Sequence, residues 1–554
     1  MRRKKVLMCT EASYLPTGYA VYSKEVLSRL HKNKNLEIAE LGCYSNGTEP
    51  EARAIPWKFY PNKPPTGGEE WNIYKSTPVN EFGEYRFNDI LIDFMPDFVM
   101  DIRDWWMIEY QQRSPFRNFY NWAIMPTVDA EPQNAEWVQT YGDANAVFTY
   151  SEFGRDTLLK QYNGANFRGL APPCASDSFC PVKDKFEHRK FFGIDENALI
   201  FGTVMRNQRR KLFPDLFKSF RKFLDQSGNS QTLLYCHTSY PDVGWSIPDL
   251  LNKYNLQNRV LFSYKCKGCG HISSAFFSDV LSFCHNCNTF NNVIVGVNNP
   301  ISEKELAAIY NLFDLYIQYA NSEGFGMPQL EAAQCGVEVA SVDYSAMSSV
   351  VKNIGATPLP VASYSQECET GCHRAVPDNK ALVDLMAATA SHPRRYLIKK
   401  GMELRERAMS YYNWDKTAAV WEEYFMNTPV IDQQLTWLSG SRNFSPTPQL
   451  PSKDIPIKEQ VNYLFHNVLG IPEWIGGQLW RRLIKDLTYQ ATAANSNNGF
   501  YFNESHLKDK MNFDKFNLQD AYNRILELRK SYNQCDHVRM EKVQSLKQSG
   551  DLNV

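Results

Sequence analysis

No stretch of this 554-residue chain approaches the eighteen or so consecutive apolar residues that a membrane-spanning helix needs, so no transmembrane segment is expected. Charge of one sign is lacking too. With a formal net charge of -1, a nucleic-acid partner would have to be met by a local patch rather than by the field of the whole molecule. The basic start Arg2-Arg-Lys-Lys5 is followed by only Val6-Leu-Met-Cys9 before Glu11. That apolar run is too short for a secretion signal and suits a first β-strand better. No internal repeat is visible, although two sheet domains could share a fold. A disulfide framework is also missing. The 13 cysteines are odd in number, and most, such as Cys9, Cys236 and Cys335, stand singly in apolar settings. Together with the missing secretion signal, this argues for a reducing, cytoplasmic setting.

What is present is ample core material, 43% hydrophobic and 14% aromatic, in a chain long enough for about three or four domains. The first half alternates strand-like runs at 5–9, 97–101, 122–127 and 146–150 with helical patterns such as 20–30 and 152–161. This order predicts a doubly wound, mostly parallel sheet. Residues 50–80, with six prolines and Gly67-Gly68, read as a loop excursion. After the proline-rich stretch Ala171-Pro-Pro-Cys-Ala-Ser-Asp177 a second series follows. Its strands are expected at 199–205, 231–237, 259–264, 315–320 and 337–343, and its helices at 212–226 and 303–313. Residues 378–426 read as helical, 439–456 as a Ser- and Pro-rich linker, and 458–492 and 518–547 as helices separated by the polar stretch around Asn495-Ser-Asn-Asn-Gly499.

The chemistry concentrates in Asn321-Ser-Glu323-Gly-Phe325-Gly326-Met327-Pro328-Gln-Leu-Glu331. A buried strand, a glycine loop and Pro328 in a first helical turn place free backbone amides at the carboxyl end of a parallel sheet. Each of the two glutamates can accept two hydrogen bonds from a vicinal diol. The string resembles the retaining GT-B glycosyltransferases, whose E-x7-E motif is matched by Glu323 and Glu331. The resemblance implies that Glu323 holds the donor sugar and Glu331 the nucleotide ribose, with Phe325 and the Gly326 and Met327 amides around the donor.

Gly202-Thr-Val-Met-Arg206-Asn-Gln-Arg-Arg210-Lys211 puts four cations in six residues between a strand and a helix. Cations oppose the dipole of a helix N-terminus, and an anion bridging them would relieve that cost. The pattern resembles the family's Arg–Lys pair, assigned to Arg206 and Lys211, with Arg209 or Arg210 able to share the role; Arg offers a planar fork to phosphate and Lys a point charge. Leu15-Pro16-Thr17-Gly18 resembles the family's N-terminal glycine loop, where Gly18 would permit close approach or a positive φ. Pro126-Thr127-Val-Asp129 lies where many family members carry a histidine that this chain lacks, making Asp129 the candidate to contact sugar or acceptor. Asp101-Ile-Arg103-Asp104 offers a second polar set, and either loop's aspartate could instead be a helix N-cap.

Cys266-Lys-Gly-Cys269 and Cys284-His-Asn-Cys287 are two C-x2-C knuckles fourteen residues apart. This spacing points to a tetrahedral structural zinc, with Gly268, Gly270 and Asn286 or Asn288 suited to the tight turns. Cys368 and Cys372 have no second pair nearby and read as a loop.

The expected architecture is therefore α/β with two Rossmann-like domains. The N-terminal, acceptor-binding domain would occupy 1–172, with a C-terminal helix at about 405–428 packing back on it. The nucleotide-sugar domain would occupy 173–404, with a zinc ribbon inserted at 265–290 and a linker and helical appendage at 430–554. The resemblance implies transfer of a sugar from a nucleotide-diphosphate donor, UDP- or GDP-linked, with retention of anomeric configuration. It also implies no catalytic metal and a departing phosphate that helps take the acceptor proton. The acceptor hydroxyl could belong to a glycan, lipid, protein or small molecule. Two alternatives stay open: transfer to hydroxymethylated DNA bases contacted by the ribbon, and a non-catalytic binding protein on a transferase fold. Oligomeric state is not legible in the sequence.

Overall fold

The computed structural model describes residues 2–229, 231–296, 299–441, 459, 463 and 518–552. Most of the expected linker at 439–456, the expected helix at 458–492 and the polar stretch at 495–499 lie outside the described residues.

The first sheet has seven strands: β1 (Lys4–Glu11), β2 (Leu36–Cys43), β3 (Lys58–Pro61), β4 (Phe98–Asp101), β5 (Asn121–Ile124), β6 (Ala146–Thr149) and β7 (Phe167–Leu170). Their order is β3-β2-β1-β4-β5-β6-β7, and every neighbouring pair is parallel. Val6, Leu7, Met8 and Cys9 of the central strand are buried on both faces, as helices packed on each side of a parallel sheet require. The order reverses between β1 and β4, which opens a crevice at their carboxyl ends. The 50–80 segment is not merely a loop. It holds the short helices Pro50–Arg53 and Gly68–Lys75, and β3 from this segment extends the sheet edge beside β2.

The second sheet has a parallel core, β8 (Leu199–Val204), β9 (Thr232–His237), β10 (Val260–Cys266), β14 (Leu315–Gln318), β15 (Glu338–Val342) and β16 (Thr357–Leu359). Its order is β10-β9-β8-β14-β15-β16, reversing between β8 and β14. Strands β11 (Ile272–Phe276), β12 (Ser282–Cys284) and β13 (Thr289–Ile294) are antiparallel additions around the end of β10. A separate hairpin, β17 (Val361–Gln366) and β18 (His373–Pro377), carries Cys368 and Cys372 in its connecting turn. The architecture is α/β with two such sheet domains and a helical C-terminal region.

The chain then returns to the first domain. In helix Trp414–Asn427, capped by Asn413, Trp414, Trp421 and Phe425 are buried. Trp421 Nε1 donates to Tyr22 Oη at 2.8 Å on helix Gly18–Leu30. Lys4 Nζ donates to the carbonyls of Phe425, Met426 and Thr428, satisfying the free end of the returning helix with a cation. Further along, Trp437 is buried against Phe116 and Phe119. In the terminal helix Leu518–Ser549, buried Arg539 pairs with Asp536 and donates to the carbonyls of Thr436, Trp437 and Ser439, which holds that helix on the first domain.

Candidate active site

Two loops leave the adjacent strands β8 and β14 where the second sheet reverses, the position at which open α/β sheets bind ligands. The loops are joined by their backbones. Lys211 and Ala320 form an antiparallel bridge, Leu212 N–H donates to Tyr319 O at 3.1 Å, and Asn321 N–H donates to Arg210 O at 3.0 Å. This pairing brings the cations of one loop onto the first glutamate of the other. Glu323 is buried, and its carboxylate accepts from Lys211 Nζ, from the Arg210 guanidinium and from Gln318 Nε2 at 2.8 Å. Its amide donates to Ser345 Oγ at 2.9 Å. Ser345 holds the left-handed backbone at φ 54°, an uncommon conformation for a residue with a Cβ. Burial and then the Arg210 guanidinium lower the Lys211 pKa well below its usual value.

The loop ends at Gly326, whose φ of 86° favours glycine and turns the chain into helix Met327–Gln334, with Pro328 in the first turn. Glu331 lies in this helix and accepts from Tyr310 Oη at 2.7 Å. Burial pushes its carboxyl up to about 7, against the lowering effect of that hydrogen bond. Phe325 is buried edge-on against Tyr412. Met327 opens the helix and is only partly buried.

The first domain faces these loops directly. A Cβ on Gly324 would stand 2.4 Å from Thr127 Cγ2, so the loop that carries Glu323 passes closely against Thr127. Tyr19 Oη and Thr127 Oγ1 are 2.8 Å apart. Asp129 Oδ2 accepts from Arg374 at 2.7 Å and from Ser322 Oγ at 3.4 Å. Arg374 also donates to Ser322 Oγ and Glu367. His373 N–H donates to Glu131 O at 2.9 Å, so the hairpin clamps the loop after β5.

Three residues differ in placement from what their motifs imply. Gly18 has no positive φ; it is the first residue of helix Gly18–Leu30, capped by Thr17, and a Cβ there would meet open space, so room for close approach is what it offers. Arg206 is not with Lys211 on Glu323. Its half-exposed guanidinium pairs with Asp242 at 2.9 and 3.1 Å, while Arg210 takes the place beside Lys211. Asp101 forms a fully buried ion pair with Arg103, reinforced by Gln111, and belongs to the core rather than the cleft. Sequence reasoning missed Gln318, Ser345 and Arg374, which stand outside any motif; only their position after strand ends or in the hairpin marks them.

At the far edge of the second sheet the Sγ atoms of Cys266, Cys269, Cys284 and Cys287 lie within 4.8 Å of one another. The pairs Cys266–Cys287 and Cys269–Cys284 are 3.6 and 3.7 Å apart. Zinc–sulfur bonds of about 2.3 Å at tetrahedral angles require a separation of roughly 3.8 Å, so the set fits zinc. The Gly268 amide donates to Cys266 Sγ at 3.3 Å and Asn286 Nδ2 to Cys269 Sγ at 3.4 Å. Gly270 and Asn288 take the left-handed turns that aim the knuckles inward.

Residues 280–392, which include the glycine loop and both glutamates, match the family model described as Glycosyl transferases group 1. Solved structures share the fold. Sucrose-phosphate synthase from Thermosynechococcus elongatus superposes with a TM-score of 0.53 at 15% identity, over 77% of this chain and 98% of that one. The Anabaena protein HepE, solved in complex with UDP and glucose, gives 0.53 at 10% identity, over 77% and 100%. WaaG, a glycosyltransferase involved in lipopolysaccharide biosynthesis, gives 0.51 at 12% identity, over 76% and 100%. No curated protein matches the chain by sequence. The fold is GT-B, and the family match together with the fold supports glycosyl transfer. Among the described residues no helix is long and apolar enough to cross a membrane.

Proposed function

We propose that the protein is a retaining glycosyltransferase that transfers a sugar from a nucleotide-diphosphate donor to an acceptor hydroxyl. One observation carries this reading: the backbone pairing of the two loops sets Arg210 and Lys211 on Glu323, with Glu331 one helical segment further on. In the resting site Glu323 neutralises part of that positive charge. A diphosphate would take over the cations and free the Glu323 carboxylate to accept from donor sugar hydroxyls. Glu331 would accept from the ribose, and the Gly326 and Met327 amides, Phe325 and Gly18 would line the diphosphate and sugar. As the C1–oxygen bond breaks, its electron pair leaves on the nucleoside diphosphate, where Lys211 and the guanidiniums of Arg206 and Arg210 offset the developing charge. Asp129, clamped by Arg374, would keep the two domains in register over the sugar. UDP-linked donors are favoured because HepE holds UDP and glucose on the same fold. The four cysteines would hold a structural zinc; closed four-thiolate sites leave no open position for chemistry. Mass spectrometry of products from UDP- and GDP-sugars incubated with glycan, protein, lipid and DNA acceptors tests the reading.

A second reading, transfer to hydroxymethylated bases in DNA, has an observation of its own. The ribbon exposes Phe276, Val280, Leu281, Phe283 and Phe290, and Phe290 is 67% accessible. Aromatic faces of this kind stack on unpaired bases. Binding of an hydroxymethylcytosine oligonucleotide that weakens with salt would support it, and no binding at low salt would remove it.

A further inference from the structure

Strand β14 ends in Tyr316-Ile317-Gln318, and side chains two residues apart share one face of a strand. Both Tyr316 and Gln318 are fully buried. An amide side chain sealed from water at a strand end is costly unless its bonds are filled. Here they are filled in one direction. Tyr316 Oη donates to Gln318 Oε1, and Gln318 Nε2 donates to Glu323 Oε1 at 2.8 Å. The direction follows from the protons. The phenol has one to give, and a carboxylate set between two cations only accepts, so the amide must turn its nitrogen to Glu323. The partners of this carboxylate differ in kind. Lys211 and Arg210 are cations that a diphosphate can draw away. Gln318 is neutral and buried, so a bound anion has little hold on it. Ser345 Oγ accepts from the Glu323 amide, which fixes the backbone and leaves the carboxylate to Gln318.

We propose that Gln318, oriented by Tyr316, is a positioning residue that keeps the Glu323 carboxylate aimed at the donor sugar once the diphosphate has taken Lys211 and Arg210. The inference rests on the glycosyl-transfer reading above and deepens it. With the cations turned to the diphosphate, Oε2, which accepts from Arg210 in the resting site, is free for a sugar hydroxyl. Oε1 stays on Gln318 Nε2, which stops the carboxylate from rotating. Without that tether the carboxylate would follow the cations, and the sugar would lose a placed acceptor. The glycosyl group is therefore the part of the donor that feels the relay. The nucleoside diphosphate, met by the cations and Glu331, does not depend on it.

The test uses the full-length wild type, Gln318→Met, Tyr316→Phe and the double variant. Methionine is unbranched like glutamine and lacks the donor. Calorimetry measures UDP and GDP affinity, and release of nucleoside diphosphate from UDP- and GDP-sugars gives kcat/KM. Gln318→Met is expected to bind free nucleotide within about twofold of wild type while its kcat/KM for the sugar donor falls by about 10–100-fold. Tyr316→Phe should show the same split with a smaller loss, because the freed amide still offers its nitrogen to Glu323 part of the time. The double variant should lose no more than Gln318→Met, since both changes cut one chain. A merely structural role would move nucleotide affinity and donor turnover together. That result, a Gln318→Met enzyme of wild-type kcat/KM, or double-variant losses that multiply would each overturn the inference. If Gln318→Met fails to fold, Tyr316→Phe decides: the split supports the relay, and its absence overturns it. A wild type that releases no nucleoside diphosphate from any sugar donor would instead overturn the glycosyl-transfer reading itself, and this inference with it.

Discussion

Arg374, on a hairpin of the second domain, donates to Asp129 of the first domain at 2.7 Å, and the same guanidinium reaches Ser322 beside Glu323. The loop that carries Glu323 and the loop after β5 are therefore held by one side chain. The two domains cannot part at this point without leaving a guanidinium and a carboxylate, both largely shielded from water, without their partners.

Arg374→Ala and Asp129→Asn should each lower turnover and weaken donor binding while the protein stays folded. Because both remove one interaction, their effects should not add. A double-mutant cycle on kcat/KM should give a coupling of about 0.5–3 kcal/mol. Strict additivity would show that the pair does not act as a clamp in the working enzyme.

The three cations divide by position. Lys211→Ala and Arg210→Ala should reduce turnover by about 10²–10³-fold, with a smaller loss in UDP affinity, because both sit on Glu323. Arg206 pairs with Asp242 in the resting site, so Arg206→Ala should match them only if the donor pulls it away from that partner. Steady-state kinetics with calorimetry separates the cases. A Lys211→Ala enzyme of normal turnover and collapsed affinity would make these residues donor binders alone.

Burial holds the Glu331 carboxyl up at about 7, against an ordinary 4.5. The folded protein therefore keeps a proton that the unfolded chain releases between these values, and ionising Glu331 costs stability as pH rises through that window. Binding to ribose hydroxyls has the opposite sign, since the carboxylate is the better acceptor. UDP affinity should fall by up to about tenfold per pH unit below about 7, and Glu331→Gln should bind weakly without that dependence. A pH-independent wild type would take Glu331 out of the nucleotide site.

Purified protein should carry about one zinc per chain, measured by elemental analysis, and Cys266→Ser or Cys284→Ser should release it. If the ribbon is structural alone, replacing 266–287 by a short bridge should leave donor turnover and acceptor transfer alike. If it recruits DNA, donor turnover should survive and transfer to hydroxymethylated DNA should be lost. Metal-free protein with an unchanged melting temperature would contradict the zinc assignment.

Much of this site was legible because its signals are local. Glycine and proline at fixed places around Glu323 define a strand–loop–helix junction, and two C-x2-C pairs at this spacing bring four thiols together as a set that fits zinc. The strands β1, β8 and β14 were legible as predominantly apolar runs, since both of their faces are covered. What was hidden depends on distance in sequence. Arg374 meets Asp129 across 245 residues, and no spacing announces it. The choice of Arg210 over Arg206 beside Lys211 follows from a backbone bridge to Ala320 that only the fold supplies. β2 and β3 escaped notice because β2 carries Glu37 and Glu40 among its apolar residues, and β3 is a four-residue edge strand ending in proline. Glu40 is buried all the same, satisfied by Ser13 and Trp57.

The most direct test of the account is proton NMR of the sugar first released or transferred when the wild-type protein turns over an α-linked UDP-sugar. Retention predicts that the first product carries an α-anomeric proton, followed by the β signal only as the free sugar mutarotates. A β-configured first product, or no release of nucleoside diphosphate from any UDP- or GDP-sugar offered, would contradict it.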